Sequence, residues 1–225
     1  MNVVTIDNVN MLKNLKSLIC NKSGVSIVSD LPNLKSLRVG SNVIEIKNVP
    51  QLKRLVLMQS KFKNINHLTS LETLICIDCK NLNDVSKLIN LITLYCSKTQ
   101  VTNVDNNTKL RTLVCNITLI ENINMLYDLE ELHCNEGLIT KVDNNTKLII
   151  LKCIDTKIHN ISNLVWLKEL VCIRGYIDNV SNNTRLERIV TDNKKMVGLN
   201  MYKMLKEFKC GKYGIEDLRK GMLSR

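Results

Sequence analysis

The sequence is dominated by a short phrase, Leu-x-x-Leu-x-Cys, that returns at a nearly constant interval. The steps from one copy to the next are 19, 18, 19 and 20 residues, followed by six steps of 19. Eleven copies therefore cover most of the 225 residues. A fixed period of this length is the signature of a repeat protein and restricts the fold more than any other feature. The first leucines of the copies are Leu15, Leu34, Leu52, Leu71, Leu91, Leu110, Leu129, Leu148, Leu167, Leu186 and Leu205.

Taking each of these leucines as position 1 gives the consensus L-x-x-L-x-C-x-x-[ST]-x-I-x-x-I-x-x-[LN]-x-x. Apolar residues alternate with others at positions 4 and 6, which predicts a short β-strand at positions 3 to 7 with those two side chains facing inward. Nineteen residues are too few for two helices and their turns, since a helix needs about ten residues or more. Each repeat is therefore expected to form one coil of a solenoid, with its strand parallel to the next at about 4.8 Å.

This pattern resembles the leucine-rich-repeat family, in a short variant with cysteine in the third leucine place, over residues from about 6 to 218. The resemblance implies a right-handed solenoid with a parallel β-sheet on the concave face and short 3₁₀ or irregular segments on the convex side. The register divides a single domain into a half-repeat at 1–14, eleven coils at 15–218 and a tail at 219–225. The Asn-, Lys- and Ile-rich setting also resembles leucine-rich-repeat proteins of AT-rich protists and of the large DNA viruses that infect them, which implies a structural component of a virion.

Eight of the nine cysteines lie at position 6, inside the expected solenoid, where a thiol acts as a small hydrophobe. Cys76 and Cys79 match a C-x-x-C motif by spacing, but the register already explains both, and a metal site needs further convergent ligands. We expect reduced thiols, no metal and no cofactor. The odd cysteine count and an amino terminus unlike a secretion signal favour a reducing, cytoplasmic compartment, in the host cytoplasm or the virion if the viral resemblance holds.

Two further positions carry polar residues in the register. Position 9, an asparagine in the family, is here serine or threonine in five of the eleven coils and cysteine in one, and these hydroxyls and the thiol are expected to bond the backbone of adjacent coils as the asparagine does, though more weakly. Position 17 alternates between Asn and Leu in a 38-residue period, since residues 101–138 and 139–176 share 20 of 38 residues. The asparagines are expected to bond nearby backbone at corners of the chain.

Catalytic constellations are missing from the sequence. The histidines His67, His133 and His159 fall at positions 16, 5 and 12 of their coils, so they are not expected to converge on one metal or substrate. No Gly-rich phosphate loop or nucleophile motif occurs. No stretch approaches eighteen uninterrupted apolar residues, so no membrane span is expected. A non-catalytic protein is the prediction.

The net charge of +11 supports a second interpretation, in which the chain binds nucleic acid or an anionic surface. Aromatic residues for base stacking are few, at 4% of the chain. Acidic residues Glu72, Glu130 and Glu187 also interrupt the basic column at position 2. The basic members of that column are Lys16, Lys35, Lys53, Arg111, Lys168 and Lys206.

The outward face of the strands, at positions 3, 5 and 7, is the expected contact surface. It carries two groups of apolar side chains that exceed what a solvated sheet needs, although β-branched residues also suit strands in general. Basic residues at the rim, Arg38, Arg54 and Lys152, are expected to orient a protein partner. The two groups are Val56, Met58, Ile75, Ile77 and Tyr95, and Ile150, Ile154, Val171, Ile173 and Val190.

Both ends of the array are expected to differ from its middle. Ile6, Val9 and Leu12 match the second half of a coil whose strand is missing, and no polar cap precedes them. This end is expected to self-associate or to bind another chain through residues 1–14. At the other end, a short helix is predicted to place Ile215, Leu218 and Met222 on the core.

Overall fold

The computed structural model describes residues 9–21, 23–199 and 204–211. Its main element is an 11-stranded parallel sheet in the order β1-β3-β5-β6-β7-β8-β9-β10-β11-β12-β13. These strands are β1 (Ser17–Cys20), β3 (Ser36–Val39), β5 (Arg54–Leu57), β6 (Thr73–Ile75), β7 (Thr93–Tyr95), β8 (Thr112–Val114), β9 (Glu131–His133), β10 (Ile150–Lys152), β11 (Glu169–Cys172), β12 (Arg188–Thr191) and β13 (Glu207–Cys210). Strands β2 (Ile27–Ser29) and β4 (Glu45–Lys47) form a separate two-stranded sheet.

Each main-sheet strand pairs with the strand one repeat later and stays in register with it. Leu74 pairs with Leu94, and Leu94 pairs with Leu113, so the position-4 leucines stack from coil to coil. This confirms a leucine-rich-repeat solenoid with one strand per coil; coils are numbered 1 to 11 from Leu15. The strands end at position 5 or 6, earlier than predicted. Backbone bonding between coils nevertheless continues to position 8, where the Lys98 N–H donates to the Asn116 carbonyl at 3.0 Å.

The interior is one continuous hydrophobic cluster that extends from Val9 to Met196. It contains the position-1 and position-4 leucines, the position-6 cysteines and the aliphatic residues at positions 11 and 14. Burying one such leucine contributes about 1.5–3 kcal/mol. Because each coil covers its neighbours, the stability of the array comes from many similar interfaces between coils.

The carboxyl end departs from the predicted burial of all eight position-6 cysteines. Seven of them are buried, but Cys210 is exposed, and Phe208 in the same strand is 43% exposed. The reason is that β13 is the last strand in the described part of the sheet, so a neighbouring coil covers it on one side only. The predicted helix with Ile215, Leu218 and Met222 lies outside the described residues.

At the amino end, Ile6 also lies outside the described residues, and the other two half-repeat residues differ from each other. Val9 is buried in the core at 2% exposure, whereas Leu12 is 50% exposed. Val9 therefore belongs to the fold rather than to a surface at this end.

Four of the five hydroxyls at position 9 bond the backbone of their own coil, contrary to the expectation that they would bond the backbone of adjacent coils. The fifth, Ser60, donates to the Cys79 thiol of the next coil at 3.5 Å. The Thr99 Oγ1–H donates to the Cys96 carbonyl at 2.7 Å, and Thr118 and Thr156 bond in the same way. A threonine side chain is too short to reach the backbone of an adjacent coil. Asn42, which is longer, does reach the preceding coil, since its Nδ2 donates to the carbonyls of Ser23 and Val25.

The asparagines at position 17 provide the bonds between coils instead. Asn107, Asn145 and Asn183 are fully buried. Each donates from Nδ2 to two carbonyls of the preceding coil, as Asn107 does to Val85 at 3.1 Å and Leu88 at 2.9 Å. The 38-residue period therefore places a buried amide bridge between every second pair of coils.

Position 8 adopts the left-handed backbone region in seven successive coils, which the sequence did not predict. The φ angles lie between 50° and 59°, although none of the seven residues is glycine or asparagine, the usual residues in this region. In five of the seven coils a backbone bond to position 7 of the next coil holds this turn, as in Ile117 N–H to Asn135 O at 2.9 Å. The seven residues are Gln59, Asp78, Lys98, Ile117, Glu136, Asp155 and Arg174.

The return side of the solenoid is mostly turns and irregular backbone, as the fold implies, with β2 and β4 as its regular part. Within the described ranges, the chain has no helix long and apolar enough to cross a membrane.

Candidate functional site

The strand face is formed by the side chains at positions 3, 5 and 7 of the main sheet. The structure brings both predicted apolar groups to this face, but in different environments. We call the strand-face residues of coils 2 to 6 the open half, from Ser36 to Asn116. Those of coils 7 to 11, from Glu131 to Gly211, are the closed half.

The apolar group of the open half forms one continuous strip across three coils. Val56 pairs with Ile75, and Ile75 pairs with Tyr95, so their side chains lie side by side on adjacent strands. Val56 is buried at 7% exposure and Met58 is 40% exposed. Ile75, Ile77 and Tyr95 are half-buried. The strip therefore presents a largely apolar surface that solvent still reaches.

Tyr95 has the largest apolar side chain of the strip and a partly desolvated phenol. Burial raises its pKa, the nearby Glu131 carboxylate raises it further, and the Arg54 guanidinium lowers it. The ring therefore lies between a cation of the open half and an anion of the closed half. A half-buried aromatic in such a place is suited to anchor a partner.

Charge in the open half is limited to two arginines. Arg38 and Arg54 are exposed, and the other strand-face residues of coils 2 to 6 are uncharged. Arg38 lies against the strip, with Nη2 3.9 Å from the Met58 sulfur. In the part of the chain that the structure describes, neither arginine has a carboxylate within ion-pair distance.

Charges in the closed half, by contrast, pair with one another. Arg188 donates to Glu169 and to Glu207, each at 2.8 Å, and Lys152 lies 3.5 Å from Glu169. Lys209 pairs with Glu207 at 2.7 Å. Lys152 is thus half-buried and paired with Glu169, not a free cation at the rim as the sequence suggested.

A further acid of the closed half, Glu131, is paired with His133. The distance from His133 Nε2 to the carboxylate is 2.9 Å. This contact is the main cause that lowers the pKa of Glu131, against the opposing effect of burial. The Glu131 carboxylate is therefore ionised and already paired with His133, a residue of the same face.

The second predicted apolar group, which lies in the closed half, is mostly buried. Ile154, Val171, Ile173 and Val190 form a small hydrophobic cluster separate from the solenoid core, with exposures of 2%, 0%, 2% and 5%. Ile150, the fifth member, is half-buried. Four of these five predicted contact residues are therefore buried, whereas only Val56 is buried among the five of the open half.

The sequence contains a signal for this division that was not used. Positions 3 and 5 carry almost no charge in coils 4 to 6, but acids and bases alternate there from coil 7 onward. Opposite charges on adjacent strands predict ion pairs across the sheet. The residues are Glu131, Lys152, Glu169, Arg188, Glu207 and Lys209.

Ion pairs also occupy the basic column at position 2. Lys53 pairs with Glu72 at 2.8 Å, and Arg111 lies 3.5 Å from Glu130. Lys168 and Lys206 both pair with Glu187, at 3.8 and 2.6 Å. Four of the six basic residues in this column therefore have a carboxylate partner.

The histidines bind separate partners in separate coils. His67 Nε2 contacts the Ile46 carbonyl at 2.7 Å and His159 Nδ1 contacts the Lys157 carbonyl at 3.3 Å, while His133 pairs with Glu131.

An open groove of about 860 Å³ is formed by the segments that come after the strands in coils 6 to 8, and it is lined in part by Glu121, Glu136 and Lys141. Over residues 9–21, 23–199 and 204–211, no three His, Cys, Asp or Glu side chains are grouped to hold a metal ion.

Solved structures with the same fold support the solenoid assignment. A leucine-rich-repeat protein of Leptospira interrogans matches with a TM-score of 0.72 and 17% identity, over 93% of this chain and 65% of that one. An internalin, InlF of Listeria monocytogenes, matches with a TM-score of 0.71 and 18% identity, over 92% of this chain and 71% of that one. At these identities the likeness shows the fold alone.

A third solved structure has the same fold. The functional domain of InlJ from Listeria monocytogenes, described as including a cysteine ladder, matches with a TM-score of 0.66 and 22% identity. The match covers 91% of this chain and 48% of that domain. No protein-family model and no curated protein matches the sequence. The resemblance to protist and viral proteins stays a prediction.

Proposed function

We propose that this leucine-rich-repeat solenoid is a non-catalytic protein-interaction module, and that a protein partner binds the open half of the strand face. The observation that carries the proposal is the strip of Val56, Met58, Ile75, Ile77 and Tyr95. Four of its five members, all but Val56, remain accessible, while four of the five equivalent apolar residues of the closed half are buried among themselves. Accessible apolar strips on an otherwise charged surface mark contact sites.

The sheet gives this strip a rigid backbone. Each of its strands pairs on both sides, β5 with β3 and β6, and β7 with β6 and β8. A partner therefore meets side chains whose spacing is already fixed, which reduces the entropy lost on binding. Each square ångström of apolar surface buried contributes about 25 cal/mol, and an aromatic anchor such as Tyr95 carries a disproportionate share.

Binding to nucleic acid or to an anionic surface is the alternative, and it rests on the net charge of +11. Phosphate-driven binding needs many free cations along one path. Most of the position-2 column is already paired, and the open half offers two arginines. The distribution of charge therefore favours a protein partner.

The class of partner is tested by immobilising the protein and capturing ligands from source material, with and without nuclease. We expect a protein that is retained after nuclease treatment and between about 50 and 200 mM salt, since apolar burial depends weakly on salt. Retained nucleic acid, lost by about a thousandfold in affinity over the same salt range, would contradict the proposal and support the alternative.

Self-association at the amino-terminal end is a separate proposal. Ile19 in the edge strand β1 is 70% exposed and Met11 is 83% exposed. Substituting both with Lys should remove a concentration-dependent increase in mass in analytical ultracentrifugation. Lys substitution of Val9 is unsuitable, because Val9 is buried in the core. A parent protein that stays monomeric at all concentrations would refute self-association.

A further inference from the structure

We infer that the partner of the open half presents a carboxylate group close to an apolar side chain, with the carboxylate on Arg38 and Arg54 and the apolar group on Ile75 and Tyr95. This inference rests on the proposed function and specifies its partner. The strand-face residues of coils 2 to 6 include two cations and no anion. The surface is thus complementary to an acidic and apolar segment.

The acids that border the open half do not neutralise these arginines. Glu72 at position 2 pairs with Lys53 at 2.8 Å, and Asp78 at position 8 lies 3.9 Å from Lys80. The two guanidinium groups therefore remain available to an incoming anion. An arginine offers a planar fork of donors that binds carboxylates in a bidentate manner.

The closed half shows what an arginine on this face does when carboxylates are within reach. Arg188 occupies position 3 of coil 10, as Arg54 occupies position 3 of coil 3. Arg188 donates to Glu169 and Glu207 from the two flanking strands, each at 2.8 Å. The corresponding flanking residues of Arg54 are Ser36 and Thr73, which have no charge. A partner would supply to Arg54 the carboxylates that the chain itself supplies to Arg188.

The register fixes the spacing that the partner must match. Arg38 lies beside Val56, and Arg54 lies beside Ser36, so the two arginines are diagonal neighbours with Cα atoms roughly 8 Å apart. Tyr95 lies two strands beyond Arg54 and two residues farther along the strand direction, so their Cα atoms are roughly 12 Å apart. An extended segment spans that distance in about three residues. The carboxylate and the apolar side chain are therefore expected about three residues apart.

Phosphate groups fit this site less well than carboxylates. Two cations beside a strip of half-buried apolar residues give a weak site for a polyanion, whose affinity scales with the number of phosphates neutralised. The same strip excludes water around a single bound carboxylate and strengthens its bonds to the guanidinium groups. A protein segment can supply both a carboxylate for the two arginines and an apolar side chain for the strip.

The inference is tested by selecting short peptides from a random displayed library against three proteins. These are the parent, an Arg38→Glu/Arg54→Glu variant, and a Lys61→Glu/Lys63→Glu control. The control makes the same change in net charge on exposed residues of coil 3, away from the strand face. All three should have the same melting temperature, since none of the substituted side chains is buried.

The parent and the control should enrich peptides with Asp or Glu about three residues from Leu, Phe or Trp. The Arg38→Glu/Arg54→Glu variant should enrich Lys or Arg at the same place, and a parent-selected consensus peptide should bind it at least about tenfold more weakly. Apolar peptides without an acidic excess, binding only when Ile75 and Tyr95 are intact, would overturn the inference and leave the proposed function standing.

Other outcomes are equally decisive. Enrichment of no peptide by the parent would contradict the inference. Parent-selected peptides that bind equally well to a Tyr95→Ala/Ile75→Glu variant would contradict the proposed function as well. Tight binding of a fluorescent oligo(dT) that disappears in the Arg38→Glu/Arg54→Glu variant, and not in the control, would assign the arginines to phosphates and overturn the inference.

Discussion

The buried side-chain amide of Asn145 donates a hydrogen bond to the backbone carbonyl of Leu126, 2.9 Å away in the preceding coil. It donates a second one to the Ile123 carbonyl at 3.0 Å. Both bonds require an N–H donor at this point. Asn145→Asp keeps the shape and replaces that donor with a buried anion facing two carbonyls. We expect it to lower the free energy of unfolding by about 3–5 kcal/mol at neutral pH.

The neighbouring residue supplies the control for this substitution. Asn144 is exposed, so Asn144→Asp makes the same change in charge at the surface and should alter stability by no more than about 0.5 kcal/mol. Denaturant unfolding monitored by circular dichroism measures both. Equal stability of the two variants would show that the Asn145 amide does not bridge the coils.

The left-handed turn at Ile117 predicts a stabilising substitution. Its φ of 55° is unfavourable for a β-branched side chain, and the side chain is 45% exposed, so little packing is lost on replacement. Ile117→Asn should raise the free energy of unfolding by about 1 kcal/mol, because asparagine tolerates this backbone region. Leu119→Asn, at a 49% exposed residue outside the left-handed column, is the control and should give no gain. A destabilised Ile117→Asn variant would refute the strained turn.

Thiol reactivity distinguishes the buried cysteines from the exposed one. Burial raises the pKa of Cys115 to about 12 and raises the pKa values of Cys76 and Cys134, so their thiolates are scarce at pH 8. Eight of the nine cysteines are buried and Cys210 is exposed. A colorimetric thiol reagent should therefore find one fast thiol in the native state, absent from Cys210→Ser, and nine after denaturation. Five or more fast native thiols would refute the cysteine core.

Truncation of an inward leucine tests the register of the repeat. Leu113 is fully buried at position 4, and Leu113→Ala should lower the free energy of unfolding by about 2–5 kcal/mol. Leu119→Ala removes the same atoms from an exposed residue of the same coil and should have an effect near zero. Similar thermal melts for these two variants would contradict the inward assignment of position 4.

The repeat made the fold predictable because each coil restates the same constraint. Positions 4, 6, 11 and 14 had to be inward in nearly every coil, and the core confirms this from Val9 to Met196. Features that depend on the backbone angle of a single residue could not be predicted from the sequence. Residues such as Lys98 and Ile117 have no local preference for the left-handed turn, which the hydrogen bonds between coils impose.

The face of the candidate site follows from periodicity alone, whereas its division into two halves requires the comparison of neighbouring repeats. Periodicity places Ile75 and Val171 on the same side of the sheet, yet one is half-buried and the other has no exposed surface. The difference comes from neighbours on adjacent strands, such as the pairing of Arg188 with Glu169 and Glu207. Ion pairs across the strands of the closed half join residues 17 to 19 apart in the sequence, so their signal appears only when neighbouring repeats are aligned.

The central claim, that the open half binds a protein, is tested most directly by measuring the affinity of the captured partner for two double variants. Tyr95→Ala/Ile75→Glu alters the open half, and Lys209→Ala/Val190→Ala alters the closed half. Truncating one aromatic anchor removes about 2 kcal/mol or more, roughly thirtyfold in Kd, and the buried carboxylate adds to that loss. We expect the open-half variant to lose binding with its melting temperature unchanged and the closed-half variant to bind as the parent does. Parental affinity in the open-half variant would contradict the account and place the function elsewhere on the solenoid.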